Sequence, residues 1–289
     1  MEYVIVTDSS CNLSNKQIED YKLEVISLKY FSGEKSFESY NKDAEPDYKA
    51  FYDMARKKEP LSTTLASPEL CYNTFDKILS EGNDLIYIGF SSGLSGTYQV
   101  AHNTLDELKE KYPDRKIYDV DSLAASLGQG LLVHYAVQKR NEGLTIEELY
   151  NWLIDNRLKL CHWFTVDDLM YLKRGGRVSA ATALVGTMLQ IKPVMHVDNE
   201  GHLIKVGTAR GRKASIDALA KKMAETGLPG ENDTVFISHG DCEADARYLA
   251  EKLKATCGVK EVMIYYVGAV IGSHSGPGTL ALFFLGDHR

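Results

Sequence analysis

Short apolar runs alternate with polar turns and helix-period stretches along the chain. Tyr3-Val4-Ile5-Val6 reads as a strand, and Thr7-Asp8-Ser9-Ser10 ends it in a polar loop. Ser14-Asn15-Lys16-Gln17 then fits a capping box, with a hydroxyl at the helix start and an amide three residues on. The unit recurs. Leu85-Ile86-Tyr87-Ile88 is a buried-type strand, and the Gly/Ser-rich turn behind it leads into a helix from about Thr97 to Lys111. Lys116 to Val120 is another strand, followed by Asp121-Ser122 and a long helical stretch that Gly143 stops. Thr145-Ile146-Glu147-Glu148 caps the next helix. Strand–loop–helix units in series predict an α/β fold with a largely parallel sheet. Polar loops after the strands are where such sheets hold ligands.

The second half has a different texture. Leu158 to Val166 reads as a strand, and residues 173–179 are basic and Gly-rich. Pro193 to Val197 and His202 to Val206 flank Asp198-Asn199-Glu200-Gly201, a hairpin signal. A helix from about Arg212 to Glu225, a strand at Val235 to Ser238, a helix near 243–255 and a strand at Glu261 to Val267 complete another α/β set. The pattern predicts two α/β domains, 1–158 and 159–289.

Composition narrows the function classes. The chain has 289 residues, 44% apolar and 25% charged, enough to bury a core without metals or disulfides. Its 33 Lys and Arg against 40 Asp and Glu give a net charge of −7, which argues against a surface made to cover phosphate backbones. No apolar run approaches the roughly 18 residues that span a bilayer. The acidic start Met1-Glu2-Tyr3-Val4 does not read as a secretory signal. Five cysteines, an odd number with no Cys-x-x-Cys pair, predict reduced thiols and a cytoplasmic location.

Four polar loops could carry chemistry. In Thr63-Thr64-Leu65-Ala66-Ser67-Pro68, Ser67 reads as an N-cap before a proline at the first helical position. Thr63 and Thr64 stand too early to cap that helix, so their hydroxyls are free for a ligand. The stretch from Ser91 to Gln99, with Ser91, Ser92 and Ser95, follows a strand and opens a helix, which suits an anion or carboxylate. It also contains Gly89-x-Ser91-x-Gly93, the nucleophile-elbow pattern of serine hydrolases, with His239 and His274 downstream as bases. Arg210, Arg212 and Lys213 form a basic segment before a helix. His274 lies among glycines in Gly272 to Thr279, read as a loop, where it could donate a hydrogen bond or switch its charge. No second His or Cys stands at ligand spacing from it, so no metal is expected. Ordinary nucleotide fingerprints are missing. A carrier, a hydrolase and a ligand-free docking module all remain open on these residues.

Taken together, six stretches make the chain resemble the DegV family of bacterial fatty-acid-binding proteins over its whole length. They are Thr7-Asp8-Ser9-Ser10 with Ser91-Ser92-Gly93-Leu94-Ser95-Gly96-Thr97-Tyr98-Gln99, Asp121-Ser122-Leu123-x-Ala125-Ser126-Leu127-Gly128-Gln129-Gly130, Leu172-Lys173-Arg174-Gly175-Gly176-Arg177-Val178-Ser179, Gly186-x-x-Leu189-x-Ile191-Lys192-Pro193 and His274-x-Gly276-Pro277-Gly278. The resemblance implies two α/β domains with the ligand site between them, and no cofactor. It implies a carrier that holds a long-chain fatty acid and presents its carboxylate to a separate kinase for acyl-phosphate formation. By the same resemblance Thr63, Thr64, Ser91, Ser92 and Ser95 would bind the carboxylate, with Arg210 and His274 as a basic pair beside it or for handover. The family's Thr-Ser-x-Pro-Ser loop is Thr63-Thr64-Leu65-Ala66-Ser67 here. The basic segment is one residue short, which leaves Arg210 and Arg212 both open for the family's arginine. Leu280 to Phe284 is apolar where glycines are usual. Leu184 to Leu189, Phe164 to Leu169 and Phe283 to Leu285 could line the tail or belong to the core.

Overall fold

The computed structural model describes residues 3–179, 190–287 and 289. Strands β1 (Tyr3–Asp8), β2 (Glu24–Ile26), β6 (Asp84–Gly89) and β7 (Ile117–Asp121) form a parallel sheet in the order β2-β1-β6-β7. Alternate residues serve opposite faces. Ile5, Ile86 and Ile88 join one core, and Val6, Leu85 and Tyr87 the other. Both faces are covered, which is why these strands read as continuous apolar runs. Helices α3 (Pro68–Ser80) and α4 (Thr97–Lys111) cover one face through Phe75 and Leu105. Helices α5 (Leu127–Asn141) and α6 (Ile146–Asn156) cover the other through Leu131 and Leu149. The helix starts follow local chemistry. Ser14 and Gln17 form a capping box at α1 (Asn15–Asp20), Thr145 and Glu148 form another at α6, and Ser67 caps α3 ahead of Pro68.

The second sheet departs from the parallel expectation. Its strands β8 (Leu160–Thr165), β9 (Ile191–Val197), β10 (Leu203–Arg210), β11 (Thr234–His239), β12 (Glu261–Tyr266) and β13 (Leu280–Leu285) run in the order β10-β9-β8-β13-β11-β12. Only β11 and β12 pair in parallel; the other neighbours are antiparallel. The apolar run Leu280 to Leu285 is therefore a central, fully buried strand. Helices α8 (Arg212–Thr226) and α9 (Glu243–Cys257) cover the outer face through Leu219 and Leu249, over Trp163 and Leu282. On the inner face Phe164, Met195, Phe236 and Phe283 share a single core with Ile5, Ile86 and Leu131. Helix α5 packs against β6 of the first sheet and β8, β11 and β13 of the second. Gly128 admits the close approach to the second sheet, since a Cβ there would lie 2.9 Å from the Phe283 ring. The change of sheet falls at the turn Arg157–Lys159.

Three short elements complete the frame. Strands β3 (Lys29–Ser32), β4 (Lys35–Glu38) and β5 (Leu61–Thr63) form a small antiparallel sheet beside α2 (Tyr48–Arg56). Helix α7 (Leu169–Arg174) follows β8. Residues 269–275 form helix α10 (Ala269–Ser275), so the glycine-rich stretch expected as a loop is helical as far as Ser275. Packing overrides propensity there. Gly272 lies so close to Phe51 and Tyr52 that a Cβ would come within 2.7 Å of the Phe51 ring. Among the described residues no helix is long and apolar enough to cross a membrane. The five cysteines form no disulfide.

Arg289 ties the two sheets together. Its buried guanidinium donates to the carbonyls of Ser122 and Leu123, which follow β7. It also bonds those of Arg157 and Leu160 at the change of sheet, and of Asp198 in the hairpin. Burial pushes its pKa down to about 10, still well above neutrality. Arg289→Met keeps part of the stem but leaves several buried carbonyls unpaired. It should cost about 3 kcal/mol or more in urea unfolding. An unchanged midpoint and slope would show that these bonds contribute nothing.

Candidate functional site

A buried carboxylate sets the loop behind β6. Asp8, at the end of β1, accepts from the Tyr87 hydroxyl (2.8 Å), the Phe90 N–H (3.0 Å), the Ser10 N–H (2.9 Å) and the Gln129 amide (3.3 Å). Burial raises its pKa, while the hydrogen bonds oppose the rise. The loop that starts at Phe90 is thereby fixed against β1 and α5.

Between the sheets lies a cavity of about 450 Å³, within the range of small-molecule sites. Its walls come from both halves and mix polar and apolar groups. Thr63, Thr64, Ser95, Arg177 and His274 line it where side chains are half-buried or exposed. Leu28, Phe90, Ala125, Phe164 and Ala281 line it where they are buried. Thr63 ends β5 and its hydroxyl bonds Nε2 of His274 (2.8 Å). Ser95 accepts from the Thr97 N–H (3.2 Å) and donates to the Thr97 hydroxyl (3.0 Å), which itself accepts from the Ala66 N–H. His274 lies in the last turn of α10 and packs on Gly175, where a Cβ would collide with the imidazole. Burial, reinforced by the nearby Arg177 charge, holds the His274 pKa down at about 4, so the ring is neutral. Burial also lowers the Arg177 pKa. Arg177 reaches back to the Gly175 carbonyl. The mouth thus offers hydroxyls, a neutral imidazole and a partly desolvated cation, a donor set for an anion.

The structure separates the residues singled out from sequence. Thr63, Thr64, Ser95 and His274 meet at the cavity, whereas Ser91, Ser92 and Arg210 do not line it. Ser91 is fully buried; its hydroxyl donates to the Gly201 carbonyl (2.9 Å) and accepts from the Gly93 N–H (3.2 Å). Its bonds go to backbone rather than to an imidazole. His239 instead accepts from the Cys242 N–H, and His274 holds Thr63. The elbow pattern has no base at Ser91. Ser92 is exposed, and its N–H donates to Asp121. Arg210 is the exposed last residue of β10. Arg212 does not line the cavity either, because Asp245 (2.8 Å) and Asp167 (3.6 Å) hold its guanidinium.

The cation at the mouth is Arg177, in the Gly-Gly-Arg turn after α7. The basic Gly-rich segment was visible in the sequence, but nothing in it said which arginine turned inward. Of the suggested tail-lining stretches, Phe164 lines the cavity, Leu169 is core, and Phe283 to Leu285 are buried in β13 with only the preceding Ala281 at the cavity. Leu184 to Leu189 lie outside the described residues. Among the described residues Asp198, Glu200 and His202 bring ligand atoms within 4.8 Å of one another, at the hairpin and off the cavity. Asp198 Oδ1 there already accepts the N–H groups of Glu200 and His202.

Comparison with known proteins adds an independent finding. A family model described as an uncharacterised protein of the DegV family matches residues 2–287. A DegV domain-containing protein of Clostridium perfringens is 42% identical over 288 residues, covering 100% of this chain and 99% of that one. A fatty-acid-binding DegV-family protein of Thermus thermophilus superposes with a TM-score of 0.86 at 28% identity, covering 99% and 100% of the two chains. A DegV lipid-binding protein of Thermotoga maritima gives 0.85 at 28%, covering 100% of each.

The His274 environment has a consequence for stability. Unfolding restores a pKa near 6.5, against about 4 in the fold. Above 6.5 both states are neutral and nothing is lost. As pH falls from 6.5 towards 4 the unfolded state gains a proton that the folded state refuses, so stability drops. His274→Gln should show a shallower fall of Tm over that window by scanning calorimetry. The remaining slope includes His134, His162, His196 and His239, which burial also shifts down. Superimposable pH profiles would remove His274 from the account.

Proposed function

The chain belongs to the DegV family, and from that premise we propose that it is a non-enzymatic carrier of a long-chain fatty acid. The observation that carries the reading is a cavity whose accessible end gathers the donors Thr63, Thr64, Ser95, Arg177 and His274, with a mainly apolar wall of Leu28, Phe90, Ala125, Phe164 and Ala281 farther in. A fatty acid makes two demands. Its carboxylate needs donors, because an unpaired buried charge is costly, and charge-assisted hydrogen bonds are the stronger kind. Its tail needs a dry slot. Burying roughly ten methylenes contributes about 8 kcal/mol, which corresponds to about micromolar binding. The tail therefore supplies most of the affinity and the head group fixes direction. In this reading a carboxylate docks against Arg177 and the Thr63 hydroxyl, and its charge favours protonation of His274.

The related Thermus thermophilus and Thermotoga maritima proteins, which bind fatty acid and lipid, support the ligand class. We extend the reading to handover. The carboxylate end, beside exposed Thr64 and Leu65, is the end a separate kinase would reach in the cytoplasm to form acyl-phosphate. His274→Ala should then slow acyl-phosphate formation by a fatty-acid kinase more than it weakens acid binding. Equal losses in the two assays would confine His274 to binding.

Native mass spectrometry of protein purified from a lipid-containing host should show an added mass of acyl size. Protein that carries none and takes none up after delipidation would overturn the carrier reading. Thr63→Val should weaken acid binding about tenfold, the worth of one charge-assisted bond. Ser91→Ala should leave affinity within about twofold, since that hydroxyl is bonded to Gly201. The reverse ranking by titration calorimetry would move the head group to Ser91. Covalent labelling of Ser91 by a fluorophosphonate would revive a hydrolase.

A further inference from the structure

The buried part of the cavity is not uniformly apolar. Strand β8 alternates, and Leu160 and Phe164 point to the inner core. His162 stands between them on that face and lines the cavity. It is 5% exposed and wedged between the Phe164 and Phe283 rings, at 5.8 and 4.5 Å between centroids. Its buried Nδ1 has no hydrogen-bond partner among the described residues. Ser275, also buried and cavity-lining, has an unpartnered hydroxyl. Ser126 and Ser238 complete this inner polar set, 3.1 Å apart. Ser126 donates to Asn12 and holds a φ of 56°, a region that side chains rarely occupy.

A leucine or phenylalanine at 162 would serve an apolar core better. A buried imidazole nitrogen without a partner breaks the rule that interior polar groups are hydrogen-bonded. Such local violations belong at functional positions. Burial keeps the ring neutral. A neutral imidazole presents a donor on one nitrogen and an acceptor on the other, and an alcohol, which both donates and accepts, can bond whichever of them it reaches. A plain hydrocarbon tail answers neither. Resting on the fatty-acid reading above, we propose that this cavity selects acyl chains bearing a hydroxyl group, received inside by His162 with Ser126, Ser238 and Ser275. The mouth then reads the carboxylate and the interior reads a second oxygen along the chain.

The test is a titration of delipidated full-length protein with stearate and with a positional series of hydroxystearates. At least one isomer should bind about tenfold tighter than stearate or better, because a site made to bond a hydroxyl discriminates against the chain lacking it. The preferred position would report how deep His162 sits. His162→Leu should tighten stearate binding and shrink the preference to within about threefold. His162→Asn, still polar, should retain part of it. If stearate binds and every hydroxy isomer binds equally or more weakly, this inference falls and the carrier reading stands. If stearate and all isomers fail to bind, the carrier reading falls and takes this inference with it. The wild-type series decides the matter even if His162→Leu does not fold.

Discussion

Two sheets that share one core need something polar at their junction to fix how far apart they stand, because hydrophobic contact alone has no preferred geometry. Here that junction runs through Asn12. Its carbonyl oxygen accepts from the Ser126 hydroxyl (2.7 Å) and from the Gly268 N–H (3.0 Å), and its amide donates to the Ser9 carbonyl (3.1 Å). Ser9 and Ser126 belong to the first half, and Gly268 to the second. Asn12 reaches all of them from a left-handed backbone with φ 52°, a conformation asparagine tolerates better than most residues. Gly268 allows the contact, since a Cβ there would collide with the Asn12 amide. The cavity is the space that remains once these bonds hold the halves apart.

That frame explains the electrostatics of the mouth. Arg177 and His274 stand on different elements of the second half, while Thr63 and Ser95 come from the first. Their approach is set by glycines that admit close contact, Gly175 beneath His274 and Gly96 beneath Leu65. The result is a cation and an imidazole beside each other, with no carboxylate among the described residues that line the cavity. The arrangement suits an incoming negative charge because the protein does not supply one itself.

Much of the fold was legible in the sequence. Helix α4 spans Thr97 to Lys111 as read, since the Gly/Ser turn marks its start and Ala101, Leu105 and Leu108 bury one face. The capping boxes at Ser14 and Thr145 marked helix starts because they are local chemistry. What the sequence hid was non-local. The strands β3 to β5 have three or four residues each and little burial, too short to show a period. The antiparallel pairing of β13 depends on a partner more than a hundred residues earlier. At the site, hydroxyl type could not distinguish Ser95, which lines the cavity, from Ser91, which the hairpin residue Gly201 covers. Arg177 and His162 escaped selection for related reasons. One lay among several basic residues, and the other sat in an apolar run that read as core.

The position of β13 in its sheet carries a temporal consequence. It lies between β8 and β11, so the second sheet has a gap at its centre until the last strand threads into place. The first sheet contains no such late insertion, as all its strands precede residue 122. The first sheet can therefore pair its strands while the second waits with two open edges, although the core they share closes only when both are in place. Such edges recruit other chains when left unpaired. Until β13 pairs, β8 and β11 are the edges that a chaperone would have to shield.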